Sequence, residues 1–209
     1  MANYQLFKGL TEQELKSLYK YLNVNDRIFK KNMTIMSNLS NTNEIGLLKK
    51  GTALLIKIDY NGNRSIVSLL KKGEIFGSFL NTGNEELIVQ SNDNCEILFL
   101  EFNSLFKYSK SEWCQKFINN LFYALFDKIN SSNKRIEVLI KKTIRERLID
   151  YFQSLQKEQA SNVIKIPFSK TELAEYLAID RTAMMREIKK LKEEGFIEVD
   201  NRKITLIYR

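Results

Sequence analysis

The chain has 209 residues, which suits one large or two small domains, and 44% of them are hydrophobic, so it can bury real cores. Its net charge of +8 favours a polyanionic partner, although many basic proteins bind nothing acidic. With no histidine and only two cysteines, the sequence excludes the common imidazole and thiolate metal sites, a four-cysteine iron–sulfur cluster included. The usual general base of enzymes is missing too, so we expect no metal, no cofactor and no catalytic activity.

Hydropathy along the chain predicts a cytoplasmic protein. No apolar run approaches the roughly 20 residues that a membrane span needs, and the start, MANYQLFKGL, lacks a long apolar stretch of the kind found in signal peptides. The two cysteines, Cys95 and Cys114, lie far apart and do not suggest a disulfide.

The first half of the chain alternates short β-type runs with turns. Residues 4–22 precede it and predict a short amphipathic helix after a Leu-Phe-Lys-Gly-Leu lead, with a Thr11–Glu14 capping box. Asn61-Gly62 is a hairpin turn signal. The predicted strands are Ile45–Leu48, Ala53–Ile58, Ser65–Leu70, Leu87–Gln90 and Glu96–Glu101. Many short strands at this spacing predict a sandwich or jelly roll.

A long stretch without glycine or proline follows and predicts one helix from about Glu112 to Lys142, continuing helically over Thr143–Gln156. Within it, apolar positions alternate spacings of three and four, as in a heptad seam. The seam residues are Phe122, Leu125, Ile129, Ser132, Ile136 and Leu139. Such seams are often ordinary core, but a helix that joins two domains favours self-pairing in a homodimer.

After a short predicted strand, Val163–Ile166, two helices joined by a tight turn are predicted. Ser169 and Glu172 form a capping box for the first helix, and Asp180 is a good N-cap for the second. Apolar residues at i, i+4 and i+7 give the second helix one buried stripe, and Gly195 follows its end. This pattern predicts a helix-turn-helix, whose second helix suits the major groove of DNA.

The same stretch is also compatible with an ordinary helical hairpin that has a solvated charged face. Two features favour the DNA-binding interpretation. From Arg181 to Lys192 there are five basic residues against one acid. Directly after Gly195 come two β-type runs around a polar turn, which predict a hairpin wing.

The order of strands, long helix and winged helix-turn-helix resembles the Crp/Fnr family of bacterial transcription regulators over essentially the whole chain. Three segments carry the resemblance: NGNRSIVSLLKKGEIFG at 61–77, TIRERL at 143–148, and TELAEYL at 171–177 with Arg181 and KKLKEEGFI at 189–197. The resemblance implies an α+β fold with an N-terminal β-roll (1–110), a dimerisation helix (111–142) and a C-terminal winged helix-turn-helix (143–209). It also implies a homodimer on a palindromic operator in double-stranded DNA, with RNA polymerase as a further partner.

The resemblance assigns the DNA-contacting residues to the helix-turn-helix. In the family the recognition helix often carries Arg, Glu and Arg, and the matching positions here are Arg181, Thr182 and Arg186. The Glu is therefore missing, which leaves the base preference at that contact open. The full predicted set is Ser169, Lys170, Arg181, Thr182, Met185, Arg186, Lys189 and Lys190.

The predicted effector pocket departs from the members that bind cyclic AMP. Those members have Gly-Glu before a short cassette helix and Arg-Ser after it, whereas this chain has Gly77-Ser78 and Glu85-Glu86. An acid in place of the phosphate-binding arginine predicts that cyclic AMP does not bind, and the effector is unknown. Two alternatives stay open: a regulator gated by a cyclic nucleotide through different contacts, and a regulatory protein-interaction module that does not bind DNA.

Overall fold

A computed structural model describes residues 4–39, 43–77 and 86–207 of the protein. The chain divides into two compact units, Met1–Ser131 and Ser132–Arg209. The helices are α1 (Glu12–Tyr21), α2 (Ser104–Lys107), α3 (Glu112–Leu139), α4 (Ile144–Gln159), α5 (Lys170–Leu177) and α6 (Arg181–Glu193). The strands are β1 (Asn25–Phe29), β2 (Thr34–Ser37), β3 (Glu44–Lys50), β4 (Ala53–Ile58), β5 (Arg64–Leu70), β6 (Ile75–Gly77), β7 (Glu86–Ser91), β8 (Cys95–Glu101), β9 (Val163–Lys165), β10 (Ile197–Asp200) and β11 (Lys203–Leu206).

In the first unit, the described strands form two four-stranded antiparallel sheets, ordered β1-β8-β3-β6 and β2-β7-β4-β5. Strand β8 shows why they stack, because its successive side chains point to opposite faces. Ile97 and Phe99 join a core with residues of both sheets, while Leu98 and Leu100 join a second core with α1 and α3. An uninterrupted apolar strand is therefore buried on both faces.

Gly46 on β3 is required by a close approach within this core. A Cβ atom at Gly46 would lie 2.4 Å from the ring of Phe76. Any other residue would displace that ring, which itself packs edge-on against Phe99 with centroids 6.2 Å apart.

The second unit contains the predicted wing. Strands β10, β11 and β9 form an antiparallel sheet in that order, and the β10–β11 turn passes through Asn201 in the left-handed region with φ 54°. The antiparallel sheets, the long helix and the C-terminal helix-turn-helix confirm the predicted α+β fold class.

The N-terminal helix predicted after the LFKGL lead is confirmed: a short 3-10 helix covers Gln5–Phe7, Gly9 has φ 75°, and α1 begins after the Thr11 cap with the predicted Thr11–Glu14 capping box. Two details of the sequence prediction further along the chain are wrong. The long helix ends at Leu139 rather than Lys142, and α4 begins anew after Thr143. The Thr143 hydroxyl accepts from the Glu146 N–H, and the Glu146 carboxylate accepts from the Thr143 N–H. This capping box marks the start of a new helix.

Strands β1, β2 and β6 were not predicted as separate strands. β1 is mostly exposed and its sequence, NDRIF, lacks the alternation that signals a half-buried strand. None of the helices in the described ranges 4–39, 43–77 and 86–207 is long and apolar enough to cross a membrane.

Candidate DNA-binding surface

Helices α5 and α6 are set by two N-caps and a short turn. The Ser169 hydroxyl accepts from the Glu172 N–H at 3.2 Å, and the Glu172 carboxylate accepts from the Ser169 N–H at 2.6 Å. Ala178 ends α5 with φ 52°, and the Asp180 carboxylate then accepts from the Ala183 N–H at 2.7 Å to start α6. The predicted capping residues are confirmed, and they fix a turn of only three residues between the helices.

One side of each helix is buried in the junction between them. Met184, Ile188 and Leu191 of α6 are buried, and so is a matching apolar set on α5 formed by Leu173, Ala174 and Leu177. Small Ala174 allows the two helices to approach closely. This packing fixes which side of α6 faces outward.

The outward side of α6 carries most of the predicted DNA-contacting residues. Arg181, Thr182, Arg186, Lys189 and Lys190 are exposed, and Met185 is half-buried. At the start of α5, Lys170 is exposed and Ser169, engaged in its capping box, is half-buried. The structure therefore brings the predicted α6 residues onto one accessible surface.

Some of the basic residues on this surface have an acidic partner and others have none. Among the residues that the structure describes, Arg181 and Arg186 make no ion pair or side-chain hydrogen bond. Lys189 lies 3.6 Å from Glu193, and Lys190 lies 3.8 Å from Glu187. Exposed pairs at these distances are weak, so a phosphate can displace them. Two guanidinium groups are thus left with all their N–H donors available.

Arg145 on α4 pairs with two acids, Glu187 on α6 and Glu194 at its C-cap. Its guanidinium binds the Glu194 carboxylate through two N–H groups and lies 3.7 Å from the Glu187 carboxylate. The bond to Arg145 holds the pKa of Glu194 below its usual value. Only 17% of the Glu187 side chain is exposed, so the single acid within the basic stretch is largely neutralised.

Arg147 holds the turn of the helix-turn-helix. It donates to the backbone oxygens of Lys141, Leu177 and Ala178 at 3.0, 3.4 and 3.1 Å. These bonds tie the break between α3 and α4 to the turn between α5 and α6. Sequence reasoning assigned no role to Arg145 or Arg147. Their position in the TIRERL segment, beside a capping box, was the available signal.

Arg135, near the end of α3, contacts α5. It donates to the Tyr176 backbone oxygen at 3.1 Å, and its guanidinium lies 4.9 Å from the centroid of the Tyr176 ring. Burial lowers the pKa of Arg135, yet an arginine stays charged at neutral pH. The contact attaches the last turns of α3 to the helix-turn-helix within the second unit.

The predicted dimerisation residues on α3 differ in exposure. Phe122, Ile129 and Ile136 are each more than half exposed, and Ser132 is exposed as well. Leu125 and Leu139 are half-buried, and Leu125 packs against the core of the first unit.

The predicted effector pocket falls partly on undescribed residues. Gly77 ends β6 opposite Ile45, and Glu86 begins β7, where the Ser37 hydroxyl donates to its carboxylate at 3.3 Å. Ser78 and Glu85 lie outside the described residues, so the pocket stays a prediction. Within 4–39, 43–77 and 86–207, no group of three or more acids and cysteines could hold a metal ion.

Residues 146–209 match the Crp-like helix-turn-helix domain family. That range begins in the first turn of α4 and runs through the wing, and it includes every α5 and α6 residue of the surface described above. No curated protein is similar enough to the chain to count as a match.

Three solved structures share the fold of nearly the whole chain. FixK2 from Bradyrhizobium japonicum is 17% identical, covering 89% of this chain and 93% of its own, with a TM-score of 0.70. The c-di-GMP-responsive global regulator CLP of Xanthomonas campestris is 14% identical, covering 95% and 100%, with a TM-score of 0.74. A CooA mutant from Carboxydothermus hydrogenoformans is 17% identical, covering 97% and 94%, with a TM-score of 0.73. At these identities the likeness establishes the Crp/Fnr fold.

Proposed function

We propose, from the premise that the chain joins the Crp/Fnr fold to a Crp-like helix-turn-helix domain, that this transcription regulator binds a palindromic operator as a homodimer. In this proposal α6 enters the major groove of double-stranded DNA. Arg181 and Arg186 read bases, Thr182 and Met185 lie against base edges, and Lys189 and Lys190 contact phosphates. Ser169 and Lys170 at the start of α5 contact the DNA backbone.

The observation that carries this proposal is the basic outward side of α6, where Arg181 and Arg186 have no ionic partner among the described residues. Two exposed guanidinium groups project from a helix whose other side is fully packed, and Arg145 neutralises the nearby carboxylates. A guanidinium can donate two hydrogen bonds to O6 and N7 of guanine, while lysines suit the uniform charge of the phosphates.

The homodimer is supported by α3, which leaves large apolar side chains exposed on one side. The proposed interface lies on the exposed side of α3, where the predicted seam residues Phe122, Ile129 and Ile136 are each more than half exposed. Burying such side chains contributes roughly 25 cal/mol per Å² of apolar surface. A two-fold dimer presents two recognition helices, which is what a palindromic operator requires.

The effector is proposed to be something other than cyclic AMP or cyclic GMP. Each carries one negative phosphate charge, and the resemblance to cyclic-AMP-binding members of the family implies that Glu85 and Glu86 replace their arginine and serine. Like charges within several ångströms cost on the order of a few kcal/mol at an effective dielectric near 20. Calorimetry should detect no millimolar-or-better binding of either nucleotide. Micromolar binding would instead support the alternative of a regulator gated through different contacts.

An electrophoretic mobility-shift assay tests the proposal that the protein binds a specific DNA sequence. A palindromic fragment enriched from genomic DNA should bind with an affinity that falls steeply as salt rises, because phosphate contacts release counterions. A scrambled fragment of the same length is the control. Equal affinity for both fragments would contradict sequence-specific binding, and no binding to either would favour the protein-interaction module. The DNA-bound dimer is also proposed to contact RNA polymerase at a promoter.

A further inference from the structure

One side of helix α3 packs against and bonds to residues of its own chain. Leu121 and Val138 are buried. The Lys128 ammonium donates to the Ser68 hydroxyl at 2.8 Å and lies 3.5 Å from the Glu74 carboxylate in the first unit. Arg135 is held on Tyr176 in the second unit. These contacts fix the rotation of the helix about its own axis in both units, and so decide which residues point away.

The residues that point away form a line of apolar side chains with one polar residue, Asn133, at its centre. Its large members are Phe122, Phe126, Ile129, Ile136 and Ile140, with exposed fractions of 56%, 61%, 54%, 54% and 70%. The Ile140 N–H donates to the Ile136 oxygen at 3.0 Å, so the helical turn includes it. With Asn133 counted, the spacings along the line are four, three, four, three and four residues. That is the a/d pattern of a coiled coil.

This line is rotated from the seam predicted from sequence alone. It keeps Phe122, Ile129 and Ile136 but replaces Leu125 and Leu139, which are half-buried on their own chain, by Phe126 and Ile140. The replaced leucines then flank the seam. No charged residue lies on the line between Phe122 and Ile140. An uncharged heptad line of this length is self-complementary, so a second copy of the chain is the occupant it suits.

Asn133 is the single polar residue at the centre of the line. It is exposed, and within the described part of the chain its side-chain amide makes no hydrogen bond. If a second copy covers the line, that amide is removed from water and must find a partner, since an unpaired buried amide costs about 1–3 kcal/mol. In a parallel, in-register pair the group at the same height is the same amide of the other chain.

We propose that Asn133 pairs with Asn133 of the partner subunit at the centre of the seam formed by Phe122, Phe126, Ile129, Ile136 and Ile140, and thereby fixes a parallel, in-register dimer. The inference rests on the homodimer proposed above and names its register. A single asparagine at an a position specifies register and two-chain assembly at some loss of stability. A slip by one heptad would shift one helix by roughly 10 Å along the other, which would misplace one recognition helix relative to its half-site.

Disulfide trapping tests the register. The variant Asn133→Cys would place two thiols across the seam, within the Cα separation of about 4.4–6.8 Å that a disulfide allows. Ser132→Cys and Lys134→Cys are matched controls at neighbouring positions, and the native Cys95 and Cys114 are buried. Mild oxidation with diamide should cross-link Asn133→Cys nearly completely and each control at least about tenfold more slowly.

The outcomes separate the register from the dimer itself. A protein that sediments as a dimer but cross-links preferentially through Ser132→Cys would overturn the Asn133 pairing and leave the homodimer standing. A monomer at micromolar concentration would contradict the homodimer. As a second measurement, Asn133→Leu should tighten association by about tenfold or more and yield species larger than a dimer. Unchanged association with a single species would contradict a buried amide pair.

Discussion

Helices α3 and α6 are built alike and differ in what they leave exposed. Each packs one side against its own chain. The outward side of α6 carries Arg181 and Arg186, which have no ionic partner within residues 4–39, 43–77 and 86–207, whereas that of α3 carries Phe122 to Ile140 with Asn133 as its polar centre. Unpaired guanidinium groups suit bases and phosphates, and an uncharged apolar line suits another protein surface. The contrast teaches that the exposed side of an amphipathic helix, once its buried side is known, indicates the class of its partner.

The strongest way to break this contrast is to put a charge on the apolar line. We expect Ile136→Glu to abolish dimerisation at micromolar concentration. Each copy loses about 1.5–3 kcal/mol of apolar burial, and two carboxylates would meet across the seam. Sedimentation should show a monomer, and operator affinity should fall by more than about 100-fold because one half-site is no longer held.

The control is Lys134→Glu, which places the same side chain on the same helix but off the line. Lys134 is exposed, so this variant should remain dimeric. If Ile136→Glu and Lys134→Glu sedimented alike, the apolar line would not be the interface.

A substitution on the basic side of α6 should have the next largest effect. Arg186→Ala should weaken operator binding by about 1–3 kcal/mol and relax the base preference at one position in each half-site. Binding to random DNA should change much less. The assigned role of Arg186 would be wrong if both affinities fell equally, because that is the behaviour of a phosphate contact.

Lys189→Ala sharpens the distinction between reading bases and contacting phosphates. Loss of a phosphate contact should weaken all sequences similarly and reduce the slope of log affinity against log salt by about 0.9 per contact. Lys190→Ala offers an independent repeat of the measurement. A change in base preference with an unaltered salt slope would move Lys189 into the base-reading set.

The smallest predicted effect concerns the acids that Arg145 holds. Because this arginine depresses the pKa of Glu194 below its usual 4.5, the ionised pair stabilises the fold above that pH. The contribution is lost as pH falls through the depressed pKa. Arg145→Gln should therefore lower Tm slightly at pH 7, and its difference from the parent should shrink towards pH 3. Lys142→Gln, an exposed neighbour, should show no such pH-dependent difference in thermal melts.

The helix-turn-helix could be predicted from sequence because its signals are local. Capping residues three apart and apolar residues three and four apart fix α5, α6 and their turn without any distant contact. The start of α4 was missed although Thr143 and Glu146 repeat the pattern of Ser169 and Glu172. The capping box was present in the sequence, but the regular spacing of apolar residues before and after it favoured one continuous helix.

The exposed line on α3 could not be derived from spacing alone. Both Phe122–Leu125–Ile129 and Phe122–Phe126–Ile129 satisfy a heptad, and the choice depends on which side the rest of the chain covers. Lys128 donates to Ser68, 60 residues away in sequence. A contact over such a distance cannot be predicted from the residues next to Lys128. The β1 strand was missed for a related reason, since it is held by pairing with β8 rather than by its own pattern.

Selection of bound fragments from genomic DNA tests the central claim most directly. The proposed function predicts enrichment of one motif made of two inverted half-sites, with centres one helical turn apart, about 34–36 Å. Repeating the selection with Arg186→Ala should recover the same spacing with one position relaxed in each half-site. Recovery of unrelated fragments, or of a motif without two-fold symmetry, would contradict a dimer that reads DNA through α6.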